Sequence, residues 1–242
     1  MLSLRRKLRS RIALGDESGF TMVELLTSAL IGLITLGVAL TILQVTSQGS
    51  ERVVGVVEAN QRMRPAIRSI VDELHSACVY PRIAPILAGS TGEQLIALYR
   101  RGSEVSPVPD KVVTSYSGNA LTRSRFQATG GSPGSWTFAA SPYETREIID
   151  RVRQAYLGDP VQTVPVFRYY AYSGGVLDTN PLPTPLSVAD AKRTVQVSVA
   201  FASSSVTTGE TKSLIPTSVT NDVSLRFTPA SEGVTEENLP CA

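Results

Sequence analysis

Residues 19–43 read GFTMVELLTSALIGLITLGVALTIL, and this stretch decides how the rest of the chain is organised. Residues 25–43 contain no charge, only aliphatic and small side chains and a few hydroxyls. About 20 apolar residues cross the hydrocarbon core of a bilayer as a helix, so the stretch predicts a membrane span. Glu24 lies at its entrance, and an ionised side chain costs about 2.5–3.5 kcal/mol at the centre of such a helix. A carboxylate held there predicts a partner of opposite charge.

The residues on either side of the span predict its orientation. Five basic residues precede it: Arg5, Arg6, Lys7, Arg9 and Arg11. Positive residues stay on the cytoplasmic side, so we expect the N-terminus inside and the C-terminal part exported. A secretory signal peptide has a small-residue cleavage site after its apolar region, but residues 44–51 read QVTSQGSE. The small-residue junction, Ser18 and Gly19, precedes the span instead, and cleavage there would leave the apolar segment at a new N-terminus.

This arrangement resembles the leader of type IV prepilins. That family has a short basic leader ending in Gly, then Phe, an apolar run, and Glu as the fifth residue after the cut, and residues 19–24 (GFTMVE) match it in order. The resemblance implies that a prepilin peptidase cuts after Gly19 and that Phe20 is N-methylated. It also implies that Glu24 pairs with the N-terminal ammonium of a neighbouring filament subunit. An ordinary single-span anchor with a stray glutamate is the alternative interpretation.

The charge balance argues against a nucleic-acid partner. Five of the 23 basic and two of the 21 acidic residues precede Gly19, so the remaining chain has one more acidic than basic residue. Nucleic-acid-binding proteins usually carry a basic stripe or patch. The sequence after Gly19 has none, and we interpret Arg100 and Arg101, like Arg123 and Arg125, as solvated strand ends.

The helical pattern continues beyond the span. In residues 51–78, apolar side chains recur near the 3.6-residue period of an amphipathic helix. They are Val53, Val56 or Val57, Met63, Ile67, Ile70, Val71 and Leu74. One helix is therefore predicted from about Phe20 to about His75, and its second half is expected to pack on a globular domain. Pro65 is expected to bend or break the helix, because proline removes a backbone donor.

After Cys78 the sequence changes to short β-rich runs separated by Gly, Pro and Ser. Strands are predicted at 94–100, 112–116, 120–127, 135–139, 164–173, 194–201 and 219–227, and a strand is favoured over a helix at 144–154. Gly174 and Gly175 predict a turn. In 194–201, Val195, Val197 and similar residues alternate with polar or small ones, which suits an antiparallel sheet with one face on a core. The amphipathic half of the helix is expected to cover that face.

These elements predict an α+β fold, in which a long N-terminal helix packs on an antiparallel β-sheet domain. The segments REIIDRV, PVFRYYAYSGGVL, ADAKRTVQVSVAF and NDVSLRF resemble, in their order, W-type minor pilins and J-type minor pseudopilins of type II secretion. That resemblance implies the pilin α/β-roll. The expected organisation is a leader at 1–19, a transmembrane or filament-core helix at 20–43, its amphipathic continuation at 44–78, an exported β-rich domain at 79–229 and a C-terminal tail at 230–242.

The chain has two cysteines, Cys78 and Cys241. Exported domains lie in a disulfide-permissive compartment, and in the family that the leader resembles a disulfide often ties back the C-terminal region. A Cys78–Cys241 bond would stabilise the domain by about 4–5 kcal/mol in the chain-entropy model. A buried thiol at Cys78 and a free Cys241 is the alternative.

The sequence offers no residues for a catalytic or cofactor site. His75 is the only histidine, and there is no G-x-S-x-G, no Cys/His pairing at ligand spacing and no G-K-S/T phosphate loop. Asp178, Asp190 and Asp222 adjoin turn residues, which favours turn chemistry over a calcium site. Residues 177–187 predict a proline-rich loop. We therefore expect no enzyme, no cofactor and no metal.

Together, the resemblance and the topology predict a minor pilin or pseudopilin of the cytoplasmic membrane. It is expected to be cleaved, N-methylated and assembled with other pilins at or near the tip of a type IV pilus or a type II secretion pseudopilus, priming assembly. The prepilin peptidase and the membrane are its other expected partners. The alternative is a single-span exported receptor or adhesin that does not polymerise. Cleavage after Gly19 separates the two, because only the filament interpretation needs it.

Overall fold

The computed structural model describes residues 19–77, 84–100, 108–132, 135–157, 162–203 and 217–225. These contain the helices α1 (Met22–His75) and α2 (Val188–Arg193). The strands are β1 (Gln94–Arg100), β2 (Pro109–Ser117), β3 (Ala120–Gly130), β4 (Thr137–Phe138), β5 (Glu144–Ile149), β6 (Val152–Leu157), β7 (Gln162–Val164), β8 (Phe167–Tyr170), β9 (Tyr172–Ser173), β10 (Val176–Leu177), β11 (Gln196–Ser203) and β12 (Thr217–Ser224). The predicted α+β class is confirmed.

The strands form three antiparallel sheets. The first has the order β1-β2-β3-β4, with β5 also paired to β3, and the second has the order β12-β11-β6-β7, with β8 also paired to β11. The third is the β9–β10 hairpin. Its turn is formed by Gly174 and Gly175, whose φ angles of 62° and 77° are the left-handed values that a type I′ hairpin needs. The predicted turn at these glycines is confirmed.

The chain divides into two units after Glu51. In the first unit, every described residue of α1 is exposed. In the second, one face of α1 is buried and belongs to the same core cluster as residues of both large sheets. The buried helix residues of that cluster are Ala59, Met63, Ala66, Ile67, Ile70 and Leu74. The predicted packing of the helix on a β-sheet domain is confirmed for this part of α1.

The prediction that the apolar stripe packs on the globular domain was wrong for the first residues of the stripe. Val53, Val56 and Val57 are 64%, 43% and 47% exposed, and burial of side chains starts only at Ala59. Periodicity identifies the apolar face of a helix, but it does not say how far along the helix the sheets extend. The core reaches only the last five turns or so of α1, so the valines before it remain uncovered.

Pro65 was expected to bend or break the helix, and it does not break it, since α1 continues through this residue. A proline inside a helix costs one backbone hydrogen bond and introduces a clash, worth about 3 kcal/mol. Burial of Met63, Ala66 and Ile67 on either side of the proline opposes that cost, because it anchors both adjoining turns to the core.

Two of the predicted strands are interrupted. Residues 164–173 contribute to β7, β8 and β9 instead of one strand, and Pro165, which has no N–H to donate to a ladder, lies in the first gap. Residues 144–154 are extended as favoured, but they form β5 and β6 on either side of Asp150 and Arg151. Arg151 has a φ of 54°, which turns the chain between the two sheets.

Strand β11 is buried on both faces, whereas its alternation predicted one buried face. Ser198 and Ala200 are as inaccessible as Val197 and Val199. Its neighbours flank it on both edges, β12 on one and β6 and β8 on the other. On the face of Ser198, Arg168 of β8 lies opposite in register and donates a 2.9 Å hydrogen bond to the Ser198 hydroxyl. Small side chains on a central strand are enclosed by the larger side chains of the neighbouring strands.

Helix α2 was not predicted. Ser187 caps its N-terminus, since the Ser187 hydroxyl accepts a hydrogen bond of 3.0 Å from the Asp190 amide and donates one of 2.7 Å to the Asp190 carboxylate. The pKa of Asp190 is lowered by the hydrogen bonds from Ser187 and Arg193. The Ser-x-x-Asp spacing was the available signal, but the helix has only six residues.

We expect the second unit to fold without the first, and two truncated chains test this. A chain starting at Glu51 is expected to be soluble, monomeric and folded, because residues 19–51 contribute nothing to the buried core. A chain starting at Ser76 loses the six buried helix residues and exposes an apolar sheet face, so it is expected to aggregate. Circular dichroism and size-exclusion chromatography of the two chains measure this. Equal folding of both would mean that α1 is not part of the core.

Candidate functional site

The predicted cleavage junction lies just before the first turn of α1. Gly19, Phe20 and Thr21 are non-helical and exposed, and the helix begins at Met22. The Thr21 hydroxyl accepts a 3.3 Å hydrogen bond from the Glu24 amide, as an N-cap does. The junction is therefore held outside the helix by a local cap, and the peptide bond between Gly19 and Phe20 is accessible.

Within the described residues, α1 is the one helix long and apolar enough to cross a membrane. The hydroxyl groups of residues 22–46 are suited to an apolar surrounding, because each donates to a carbonyl three or four residues earlier in the same helix. These donors are Thr27, Ser28, Thr35, Thr41 and Thr46. The backbone and the hydroxyls of this segment need no outside partner.

Glu24 is the exception in this segment. Its side chain is exposed, and its carboxylate has no hydrogen bond or ion pair among the described residues. The first turn of a helix favours an acidic side chain, but a helix terminus supplies only about half an elementary charge. The described chain therefore leaves Glu24 without the full cation that a carboxylate in an apolar stretch requires.

The other predicted site residues lie away from Glu24, at a helix end or in a turn, or outside the described residues. Cys78 and Cys241, like the basic leader, lie outside the described residues. His75 ends α1, where a partial positive charge is favourable. Asp178 accepts a 2.9 Å hydrogen bond from the Asn180 amide, which is the turn role expected of it. The described residues contain no group of three or more metal-ligating side chains.

A second charged group, which the sequence did not predict, lies between α1 and the first sheet. Glu73 of α1 is nearly buried, and its Oε2 is 3.0 Å from Nε of Arg123, an ion contact rather than an aligned hydrogen bond. Arg125 lies 3.8 Å from the other carboxylate oxygen and contacts Glu144 at 3.4 Å. Arg123 also donates a 2.9 Å hydrogen bond to the Ser69 hydroxyl. These five residues form the helix–sheet charge cluster.

The interpretation of Arg123 and Arg125 as solvated strand ends was therefore wrong. Both lie in the middle of β3, two and four residues after the buried Leu121, so strand alternation puts all three on one face. Periodicity also places Glu73 on the buried face of α1, because it lies between the buried Ile70 and Leu74. An acid inside an apolar stripe was the available signal.

The charge cluster fixes the orientation of α1 on the first sheet, but removing its charged groups from water costs free energy. Burial raises the pKa of Glu73, and the opposing effect of Arg123 and Arg125 does not cancel it. A second ion pair joins α1 to the β-rich part of the second unit. It lies nearer the start of α1, where Arg62 contacts the Asp150 carboxylate. Because both pairs join α1 to the β-rich part of the second unit, we interpret the cluster as structural.

Comparisons with protein-family models, with curated proteins and with solved structures give no match for this chain.

Proposed function

We propose that this protein is a membrane-anchored subunit of a pilus-like filament, a minor pilin or pseudopilin. Its leader is cleaved after Gly19, Phe20 is N-methylated, and the helix that follows moves from the membrane into a helical filament core. Its work is assembly with other subunits, and its second unit is the exported domain.

The observation that supports this proposal is the contrast between Glu24 and its surroundings. All five hydroxyls of residues 22–46 bond within their own helix, while the single carboxylate of this stretch has no cation among the described residues. A chain that only needed an anchor would insert more favourably with an apolar residue there, because a charge in an apolar segment opposes insertion. An N-terminal ammonium of a second subunit supplies the missing charge.

The geometry of the junction is also suited to processing. A peptidase needs an extended, accessible peptide bond, and Gly19 and Phe20 precede the Thr21 cap and are exposed. Cleavage there would create the ammonium that pairs with Glu24 of a neighbour. The proposal thus accounts for the junction and the carboxylate with one mechanism.

The alternative is a single-span receptor or adhesin. Such a protein uses the same helix as an anchor and the same exported domain, but it needs neither cleavage before the helix nor a counter-charge for Glu24. The N-terminus of the protein isolated from membranes distinguishes the two functions.

We expect the isolated protein to begin at N-methyl-Phe20. Mass spectrometry of protein extracted from membranes of cells with a prepilin peptidase should find this N-terminal peptide. Gly19→Leu should retain the leader, since a bulky side chain replaces the smallest one at the junction, whereas Ser18→Ala serves as the matched control and should be cleaved normally. A wild-type chain that keeps Met1 in such cells would rule out the filament function.

A further inference from the structure

The strand β12 forms an outer edge of the second sheet, and among the described residues nothing pairs with its free side. It pairs with β11 over eight residues without a shift in register. The sheet continues on the other side of β11, where β6 and β8 lie. The free side of β12 therefore presents backbone N–H and C=O groups to which another strand can bond.

The directions of the hydrogen bonds identify the backbone groups that face this free side. The Leu225 amide donates a 2.8 Å hydrogen bond to the Val195 carbonyl, so the odd-numbered residues of β12 bond to β11. Thr220 lies opposite Ala200, whose amide donates a 2.9 Å hydrogen bond away from β12, to the Val166 carbonyl. The even-numbered residues of β12 therefore direct their N–H and C=O groups outward. They are Ser218, Thr220, Asp222 and Ser224.

Other sheet edges in the described part of the chain have features that oppose strand pairing. Residues 85–87 bond along the outer side of β1. The edge strand β5 exposes the charged side chains Glu144, Arg146 and Glu147, and β7 and β10 have only three and two residues. In contrast, β12 has eight residues, no proline or lysine, and one charge, Asp222. Charges, prolines and short length are the usual means of protecting an edge, so β12 is the edge suited to pairing.

The sequence of β12 is close to a palindrome centred on Asn221. Residues 218–224 read SVTNDVS. Two copies of β12 that pair antiparallel, with Asn221 opposite itself, therefore bring similar side chains together along the whole segment. The other pairs are Val219 with Val223, Thr220 with Asp222, and Ser218 with Ser224.

This register also agrees with the backbone and with the burial of the side chains. Even-numbered residues lie opposite even-numbered ones, so the outward groups of both copies meet and exchange hydrogen bonds. Val223 is 2% exposed and Val219 is half-buried against the core, so a second copy would extend the apolar face beyond Val219. A register centred on Asp222 would place two like charges opposite each other, and one centred on Thr220 would place Val219 opposite Asn221.

We propose that β12 pairs with β12 of a second copy of this chain, antiparallel and centred on Asn221. The pairing is isologous and uses the free edge of both copies, so it closes as a dimer. A single strand buries little area, so monomers predominate in dilute solution and dimers form as the concentration rises. The inference does not rest on the proposed filament function, because it needs only two copies of the chain.

Cysteine cross-linking of the full chain in detergent tests the register. The chain carries Cys78→Ser and Cys241→Ser, so that Asn221→Cys supplies the only thiol. In the proposed dimer the two introduced thiols lie opposite each other in a non-hydrogen-bonded pair, with Cα atoms about 4.5 Å apart, which a disulfide can bridge. Thr220→Cys and Asp222→Cys are the matched controls. Both positions are more exposed than Asn221, but neither lies opposite itself, so oxidation should link them about tenfold more slowly.

A proline at the edge tests whether backbone pairing causes the cross-link. Thr220→Pro removes an N–H that faces the free side, which an edge strand tolerates, whereas Thr220→Ala keeps this N–H. In the Asn221→Cys chain, we expect the proline variant to cross-link as slowly as the control positions and the alanine variant to cross-link at the full rate. Circular dichroism verifies that each variant is folded.

Amide hydrogen exchange of the wild-type chain, measured by NMR at increasing protein concentration, needs no substitution. The amides of the four outward-facing residues should become protected as dimers form, whereas those of Val219 and Val223 already bond to β11 and should not change. The inference is overturned if the four amides exchange at the same rate at every concentration. It is also overturned if either control position cross-links as fast as Asn221→Cys, or if folded Thr220→Pro cross-links as fast as Thr220→Ala.

Discussion

Replacing Arg123 by alanine is expected to lower the free energy of unfolding by about 3–5 kcal/mol at neutral pH. The substitution removes the cation that lies 3.0 Å from Glu73 and leaves a nearly buried carboxylate with Arg125, 3.8 Å away, as its remaining partner. It also removes the hydrogen bond to the Ser69 hydroxyl. Domains are stable by only about 5–15 kcal/mol, so the loss is a large fraction of the total.

Urea unfolding of the wild type and the Arg123→Ala variant at pH 7 measures this effect. Arg146→Ala is the matched control, because Arg146 is exposed on the neighbouring strand β5, and its stability should change by less than about 0.5 kcal/mol. The double variant Glu73→Leu/Arg123→Leu should recover much of the loss, since it removes both buried charges together. A single variant as stable as the control would show that the cluster does not hold α1 on the sheet.

The pH dependence of the same cluster has a defined sign. Burial raises the folded-state pKa of Glu73, so the folded protein binds a proton at this residue more readily than the unfolded chain does. The stability that this group contributes is fully present below its unfolded pKa and is lost as the pH rises through the folded pKa. Removing Arg123 takes away the largest opposing effect, and Arg123→Ala should therefore recover part of its lost stability on acidification.

Replacing Glu24 by alanine is expected to reduce incorporation into filaments by about tenfold or more. In the proposed function, Glu24 is the counter-charge for a neighbour's ammonium, and a charge-assisted pair of this kind is worth more than about 1.5 kcal/mol. Insertion into the membrane should be unchanged or slightly favoured, because the variant removes a charge from an apolar segment. The same substitution should therefore reduce assembly without reducing membrane insertion.

Quantitative comparison of the membrane and sheared-filament fractions measures this effect. Glu51→Gln is the matched control, because Glu51 is also exposed on α1 but lies beyond the apolar segment. Glu24→Gln tests the charge itself, as it keeps the size and polarity of the side chain, and it should also assemble poorly. If Glu24→Ala assembles as well as Glu51→Gln does, the proposed ion pair does not exist in the filament.

The sequence by itself determined the elements whose signal is local. Helix α1 follows from an uninterrupted apolar run joined to a periodic stripe, and both signals are complete within a few neighbouring residues. The same holds for β1 and for the Gly174–Gly175 turn, where residue type alone sets the backbone. The α+β class followed from these elements, as did the one long apolar helix among the described residues. The candidate residues Gly19, Phe20 and Glu24 came from the resemblance of the leader to that of type IV prepilins, and their roles stay a prediction.

Only the tertiary structure decided which of these residues meet. Glu73 and Arg123 are far apart in sequence. The position of Glu73 inside an apolar stripe is a local signal, but nothing local identifies Arg123 as its partner, because their contact arises only when α1 packs on β3. The exposure of Val53 and the burial of both faces of β11 likewise depend on where other elements end. The turns at Gly118–Asn119 and Asp150–Arg151 are likewise joined by a contact distant in sequence, the 2.9 Å hydrogen bond from the Val152 amide to the Asn119 carbonyl. Local propensity fixes the elements, whereas burial and ion pairing are properties of their contacts, and these contacts join residues distant in the chain.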